Sequence, residues 1–396
     1  MNKIAEGYKQ TEVGVIPRDW NAKTMDEISI LIASGKSKTK TQVGGAFPIY
    51  GSTGIIGFSS KHDYEGERIL VARVGANAGT INYVDGKYCV SDNTLMIQIK
   101  MEFDFSFIFY FLKYSNLNKL IFGSGQPLIT GTQLKYFSIP LPPTKAEQTA
   151  IATALNDADK LITQLEKLIA KKRNIKQGAM QQLLKPKDNW AMKKLGDILT
   201  FSGGYSASRE QLFNEGFCYL HYGDIHGAKK TFINVKNEYT EIPKLNISLK
   251  NVSPKSLLND GDIVFVDASE DDEGTSRHLI VKNPDGIPYI SGLHTIVAKS
   301  TDDLLDNDFK RYCFQTKVVK SQFKFYAVGT KVSGISKTNI AKIEIAIPPK
   351  SEQARIAAII SDMDAEIEVL EQKLNKYRQI KQGMMQDLLT GKTRLV

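Results

Sequence analysis

Residues 147–184 and 352–389 are one helix written twice, 205 positions apart, with 19 of the 38 aligned positions identical. The match is tightest between "RNIKQGAMQQLL" (173–184) and "RQIKQGMMQDLL" (378–389). An internal repeat constrains a fold more than any single motif, because it makes tandem units the starting assumption. The likeness continues upstream of each helix. "FSIPLPP" (137–143) aligns with "IEIAIPP" (343–349), "GERILVARVGANAGT" (66–80) with "GDIVFVDASEDDEGT" (261–275), and "YCVSDNTLMIQ" (88–98) with "YISGLHTIVAK" (289–299). The unit starts also echo each other, "IPRDWNAKTMDEI" (16–28) against "PKDNWAMKKLGDI" (186–198). Each unit is a variable block followed by a well-kept helical block.

The two kinds of block have different periods. The variable blocks, 1–143 and 186–349, carry short β-rich runs such as "ERILVARV" and "DIVFV", separated by Gly, Asn and Asp turns. Helical patches, "FSFIFYFLKYS" (105–115) and "DNDFKRYCFQTKV" (306–318), lie among them. Each therefore reads as a mixed α/β domain, and the chain as α+β overall. The kept blocks, 144–185 and 350–396, follow Pro142-Pro143 and Pro348-Pro349, which end a strand and can open a helix. Thr144 with Glu147 spells a capping box. Apolar residues then recur at 4-3 spacing: Ile151, Leu155, Ala158, Ile162, Leu165 and Ile169, matched by Ile356, Ile360, Met363, Ile367, Leu370 and Leu374. Matched seams of this kind offer each other a coiled-coil partner.

Charge selects the direction of pairing. The first helix is basic late (Lys171, Lys172, Arg173, Lys176), and the second is acidic early (Asp362, Asp364, Glu366, Glu368, Glu371). Antiparallel packing brings these together, whereas parallel packing sets Asp157 and Asp159 beside Asp362 and Asp364. Exposed pairs stabilise by only ~0–1 kcal/mol each, but they discriminate between registers. The expectation is two mixed domains joined by an antiparallel helix pair with a pseudo-two-fold internal repeat. A helix of about 38 residues spans roughly 57 Å at 1.5 Å per residue, enough to act as a ruler. Gly178 and Gly383 sit inside both helices, although glycine there costs about 1 kcal/mol relative to alanine. Their retention predicts a close approach of backbone to something.

The net charge of +9 and pI near 9.1 fit a chain that displaces counterions from nucleic-acid phosphates. The N-terminus has no apolar segment of a secretory signal, and no run reaches membrane-spanning length. Cys89, Cys218 and Cys313 form no CxxC pair or disulfide framework, so a cytoplasmic protein with free thiols is expected.

Taken together, the tandem layout, "GERILVARVGANAGT", "VSDNTL", the "IPLPP…EQ" entry and the "IKQGxMQxLL" helix ends resemble the specificity subunit of type I restriction-modification enzymes across essentially the whole chain. The resemblance implies two target-recognition domains, each reading one half of an asymmetric bipartite site in double-stranded DNA. It implies that two methyltransferase subunits dock on the helices and that two restriction and translocation subunits complete the enzyme. S-adenosylmethionine, ATP and Mg are then expected in the partners, with no cofactor here. Gln177, Gly178, Gln181, Gln382, Gly383 and Gln386 become candidates for packing with each other or with the methyltransferase.

Base edges and phosphates call for Arg, Lys, amide and hydroxyl side chains. In the first block the candidates are Lys36, Lys38 and Lys40 on phosphates, then Ser52, Thr53, Arg73, Gln126 and Thr130. In the second they are Ser206, Arg209, His221, Tyr222, His226, Arg277, His278, Lys331 and Ser333. No catalytic motif emerges. The two Pro-Pro pairs lack the carbonyl acceptor and stacking ring of an amino-methyltransferase loop. "TGKT" (390–393) follows a helix instead of opening one, so Gly391 reads as a helix C-cap. Cys218, His221 and His226 lack a fourth metal ligand at suitable spacing. Two other readings stand beside the DNA reader: a structural adaptor blind to sequence, and a self-contained restriction-methylation enzyme.

Overall fold

The structure, a computed structural model, describes residues 4–36, 45–121, 127–228, 230–269, 274–329 and 333–395. Its internal contacts divide it into two compact units, Met1–Leu168 with Leu370–Val396, and Ile169–Val369. Each unit holds one variable block, part of the central helix (Lys145–Leu183) and part of the C-terminal helix (Lys350–Leu389). Among the described residues no helix is long and apolar enough to cross a membrane.

Unit 1 is built on a four-stranded antiparallel sheet in the order Ser29–Ser34, Thr94–Ile99, Arg68–Ala72, Ile81–Val84. A second sheet places Lys87–Val90 parallel to Phe47–Gly51. The ribbon Asn21–Thr24 with Ser138–Leu141 joins the start of the block to its end, just before the central helix. Val and Ile on the sheet (Ile69, Val71, Ile97) pack on Phe107, Ile108 and Phe111 of the helix Phe105–Tyr114. Ile151 and Leu155 of the central helix and Leu388 and Leu389 of the C-terminal helix complete that core.

Unit 2 repeats the plan. Its main sheet runs Leu199–Gly203, Thr295–Ser300, Ile263–Val266, His278–Lys282, with Phe232–Asn234 added at the edge. Phe217–Leu220 lies parallel to Tyr289–Ser291, and Ala191–Lys194 pairs with Glu344–Ile347. Ile356 and Ile360 take the places of Ile151 and Leu155, and Leu184 that of Leu389. Unit 2 also carries a helix, Lys317–Tyr326, where unit 1 has the short 3-10 turn Leu117–Leu120.

The segments "PPTKAEQ" (142–148) and "PPKSEQ" (348–353) explain how each block is fastened to its helix. Asp104 caps the helix Phe105–Tyr114, accepting from the Phe107 amide at 2.9 Å, and its own amide donates to Gln148 Oε1 at 2.9 Å. Gln148 Nε2 reaches back to the Pro142 carbonyl at 3.2 Å. In unit 2 Asp306 caps Asn307–Cys313, its amide donates to Gln353 Oε1 at 2.8 Å, and Gln353 Nε2 donates to Pro348 O at 2.9 Å. One glutamine thus ties three segments in each unit, satisfying backbone groups that would otherwise be buried alone.

The neighbouring glutamates are used alike. Glu352 receives Lys187 Nζ at 2.5 Å and Trp190 Nε1 at 3.1 Å. Glu147 receives Arg394, which also forks onto Asp19 through two 2.9 Å bonds and lies 5.7 Å from the Trp20 ring centre. The expected capping box at Thr144 is therefore only half made: Thr144 accepts from the Glu147 amide at 3.2 Å, while the Glu147 carboxylate turns to Arg394.

Within each unit the two long helices run antiparallel, as the charge pattern predicts. In unit 1 Glu166 pairs with Arg378 at 2.6 Å and Asp159 with Lys381 at 2.5 Å. In unit 2 Lys172 pairs with Glu366 at 2.6 Å, and Lys176 with Asp364. The expected close approach at the helix glycines is not found among the described residues. A Cβ added to Gly178 or Gly383 would meet no atom within 4 Å, and both residues are exposed. Gly391 does cap the C-terminal helix, at φ +73°, and a Cβ there would lie 2.4 Å from Pro17.

Candidate nucleic-acid interface

The candidate loops of the two units hang from the same scaffold. In unit 1 the Ser91 amide donates to the Tyr50 carbonyl at 2.8 Å; in unit 2 the Gly292 amide donates to the Leu220 carbonyl at 2.9 Å. The turns that follow, 51–54 and 221–227, are therefore equivalent, and so are the facing turns 91–94 and 292–295. Glycine is required where a third strand end crosses. A Cβ on Gly35 would stand 2.2 Å from Val90 O and 2.4 Å from Ser91 O, and one on Gly204 1.8 Å from Gly292 O.

In unit 1 these turns carry small polar groups. Ser52 Oγ donates to Asn93 O at 2.9 Å, and the Arg73 amide reaches the same carbonyl at 3.1 Å. Arg73 Nη1 lies 3.4 Å from Asp92 O. Thr53 and Lys36 are exposed beside them. Ser52 of the turn 51–54 and Arg73, just after Arg68–Ala72, are thus gathered at the facing turn 91–94, with Thr53 beside Ser52 and Lys36 following Gly35, whose amide donates to Thr94 O at 3.0 Å. Thr130 lies next to Ile129, whose amide donates to Arg73 O at 2.8 Å, but its hydroxyl is spent capping Gly131–Lys135. Lys38, Lys40 and Gln126 lie outside the described residues, as does Lys331 in unit 2.

In unit 2 the equivalent turn is a short helix, Tyr222–Gly227, capped by His221, whose Nδ1 accepts from the Gly223 amide at 3.1 Å. Accepting there fixes the tautomer with the proton on Nε2. Burial, and next the Arg209 cation, hold the His221 pKa below its ordinary value, favouring that neutral ring. Arg209 binds Asp224 Oδ1 at 2.9 Å and lies 3.2 Å from His221 Nδ1. The Tyr222 ring lies 4.5 Å from that of His221, 5.5 Å from His294 and 6.2 Å from His226. Arg277 donates to the His226 carbonyl, and His226 Nε2 faces Ala268 O at 3.3 Å. Arg209, His221, Tyr222, His226 and Arg277 therefore converge. Exposed Ser206 lies on the loop after Leu199–Gly203, and Ser333 pairs with Ser269.

One candidate is corrected. His278 begins a core strand, is 6% exposed, and packs against Phe265 and Phe314, so its ring is out of reach of a base. His294 went unread although it belongs to the cluster. It stands at φ +59°, with Nδ1 3.3 Å from Asp267 Oδ1. The alignment of "YISGLHT" with "YCVSDNT" puts it opposite Asn93, which was the available signal. Among the described residues no group of three His, Cys, Asp or Glu converges as a metal site.

Two loop clusters, rich in donors and fixed by equivalent turns, can address base edges and phosphates. The type I restriction modification DNA specificity domain matches residues 17–177 and again 187–379, and the chain belongs to that family. Its DNA-specificity role follows from that membership. The putative type I restriction enzyme MjaX specificity subunit of Methanocaldococcus jannaschii is 25% identical, over 98% of this chain and 97% of that protein. The MjaVIII specificity subunit of the same organism is also 25% identical, over 98% and 96%. The crystal structure of the type-I restriction-modification system S subunit from M. genitalium shares the fold, with a TM-score of 0.62 at 17% identity over 98% of this chain and 97% of that one.

Proposed function

We propose that this chain is the non-catalytic reader and scaffold of a type I restriction-modification complex, each unit reading one half of a split double-stranded DNA site. The observation that carries the reading is the contrast between equivalent turns. One carries Ser52 and Thr53 beside Arg73 and Asn93; the other carries Tyr222 and His226 beside Arg209 and His294. Equal placement with unequal chemistry suits two different half-sites. Gln177, Gly178 and Gln181, like Gln382, Gly383 and Gln386, are exposed on the repeated helix ends and suit two copies of one partner, a methyltransferase subunit. Two restriction and translocation subunits complete the assembly, and S-adenosylmethionine, ATP and Mg belong to the partners.

Exchanging residues 1–143 for the first block of another family member should change one half of the methylated site, mapped by methylome sequencing, and leave the other intact. A change in both halves defeats the reading. A plain adaptor is separated by competition: at fixed salt it binds scrambled duplex as well as the mapped site.

A further inference from the structure

Two side-chain clusters repeat almost atom for atom away from the reading loops. In unit 1 the Tyr110 hydroxyl lies 2.8 Å from Asp159 Oδ2 and 2.8 Å from Asn156 Oδ1. Lys381 Nζ donates to the other carboxylate oxygen, Asp159 Oδ1, at 2.5 Å and sits 5.4 Å from the Tyr110 ring centre. In unit 2 the Tyr312 hydroxyl lies 3.0 Å from Asp364 Oδ2 and 2.9 Å from Ser361 Oγ. Lys176 binds Asp364 Oδ1 and sits 5.9 Å from the Tyr312 ring centre. Tyr110 and Tyr312 belong to the recognition blocks; each aspartate is on one long helix and each lysine on the other. The lysines are the same letter of the repeated "IKQG".

We infer that Tyr110–Asp159–Lys381 and Tyr312–Asp364–Lys176 are positioning clamps that fix each recognition block on the helix pair, and so make the length of the DNA gap a recognised feature. The inference rests on the bipartite reading proposed above. Apolar packing of Ile151 and Leu155 has little directional preference. A carboxylate that accepts on one oxygen from the block and on the other from the opposite helix is satisfied in one register only. A single buried polar group can set register in paired helices in the same way, at some cost in stability. The tyrosines are 2% and 0% exposed, so a shifted block leaves a hydroxyl buried without its partner.

The test uses the full chain in its assembled complex and duplexes that keep both half-sites while the gap is lengthened or shortened by one base pair. Tyr110→Phe and Tyr312→Phe keep the ring and remove the hydroxyl. Each should change affinity for the native gap less than about threefold and weaken discrimination against the altered gaps about tenfold or more. Lys381→Gln should act in the same direction. Leu155→Ala, in the same interface, should lower the melting temperature while leaving gap discrimination intact. Tyrosine variants that lose stability with unchanged discrimination, or a Leu155→Ala that relaxes it equally, overturn the clamp. A wild-type complex indifferent to gap length overturns the bipartite reading itself, and the clamp with it.

Discussion

Three glycines separate two uses of the residue. Gly204 is held by contact: a Cβ there would stand 1.8 Å from a backbone oxygen that cannot move aside without breaking the turn 292–295. Gly204→Ala should cost about 3 kcal/mol or more and lower the melting temperature of unit 2 by several degrees. Among the described residues, nothing stands within 4 Å of a Cβ added to Gly178 or Gly383. Alanine at either should stabilise the isolated chain by up to about 1 kcal/mol, measured as a higher urea midpoint. If the exposed helix ends receive the methyltransferase, the same substitutions weaken its uptake in a pull-down; unchanged uptake separates these glycines from docking. His278 gives a prediction in pH. Burial pushes its pKa down to about 4, so the folded state keeps the ring neutral where the unfolded state, near 6.5, takes a proton. The histidine's contribution is complete above pH 6.5 and falls by about 3 kcal/mol as the pH drops to 4. A His278→Leu variant should show a shallower loss of stability than the parent over that window; identical slopes would refute the assignment.

At the scale of elements, the long helices were legible because period, charge and repetition agree over nearly forty residues. The strands of the variable blocks were legible as β-rich runs, but their faces were not. "HLIVK" (278–282) is buried at four of its five positions, so no alternation marked His278 as interior. A histidine in a turn and one opening a core strand look alike in sequence. The glutamine latches were illegible for another reason: Gln148 and Asp104 are 44 residues apart, and only the packed helix brings them together. The C-terminal tail is the clearest such case. In unit 2 Lys187 and Trp190, on the covalent path from helix to block, clasp Glu352; in unit 1 the tail supplies Arg394 to Glu147, beside Asp19 and Trp20. Arg394→Met leaves Glu147, 3% exposed, without its cation, and should cost unit 1 about 2 kcal/mol, reduced from a fully buried pair because Arg394 keeps some solvent. Adding Glu147→Gln should recover part of the loss in a double-mutant cycle, and strict additivity would show that the two side chains do not act on each other.

At the scale of the whole molecule, the internal repeat was legible because identical letters recur at a fixed offset, whereas the target was not, because no code maps these turns to bases. What can be argued is length. Each unit closes its own antiparallel pairing: Glu166 with Arg378 in one, Lys172 with Glu366 in the other. The stretches between, 167–171 and 367–377, hold neither of these two ion pairs. Four residues added to both helices there should leave both sets of pairs intact and lengthen the helix pair by about 6 Å at 1.5 Å per residue. At 3.4 Å per base pair, the preferred gap between half-sites should grow by one or two base pairs, read as a new methylated site with unchanged halves. The same insertion in the central helix alone forces one unit to give up its register, so it should lower stability and blur the gap instead of shifting it. An unchanged gap after the double insertion, in a complex that still methylates, would reject the helices as the ruler, whatever the loops read.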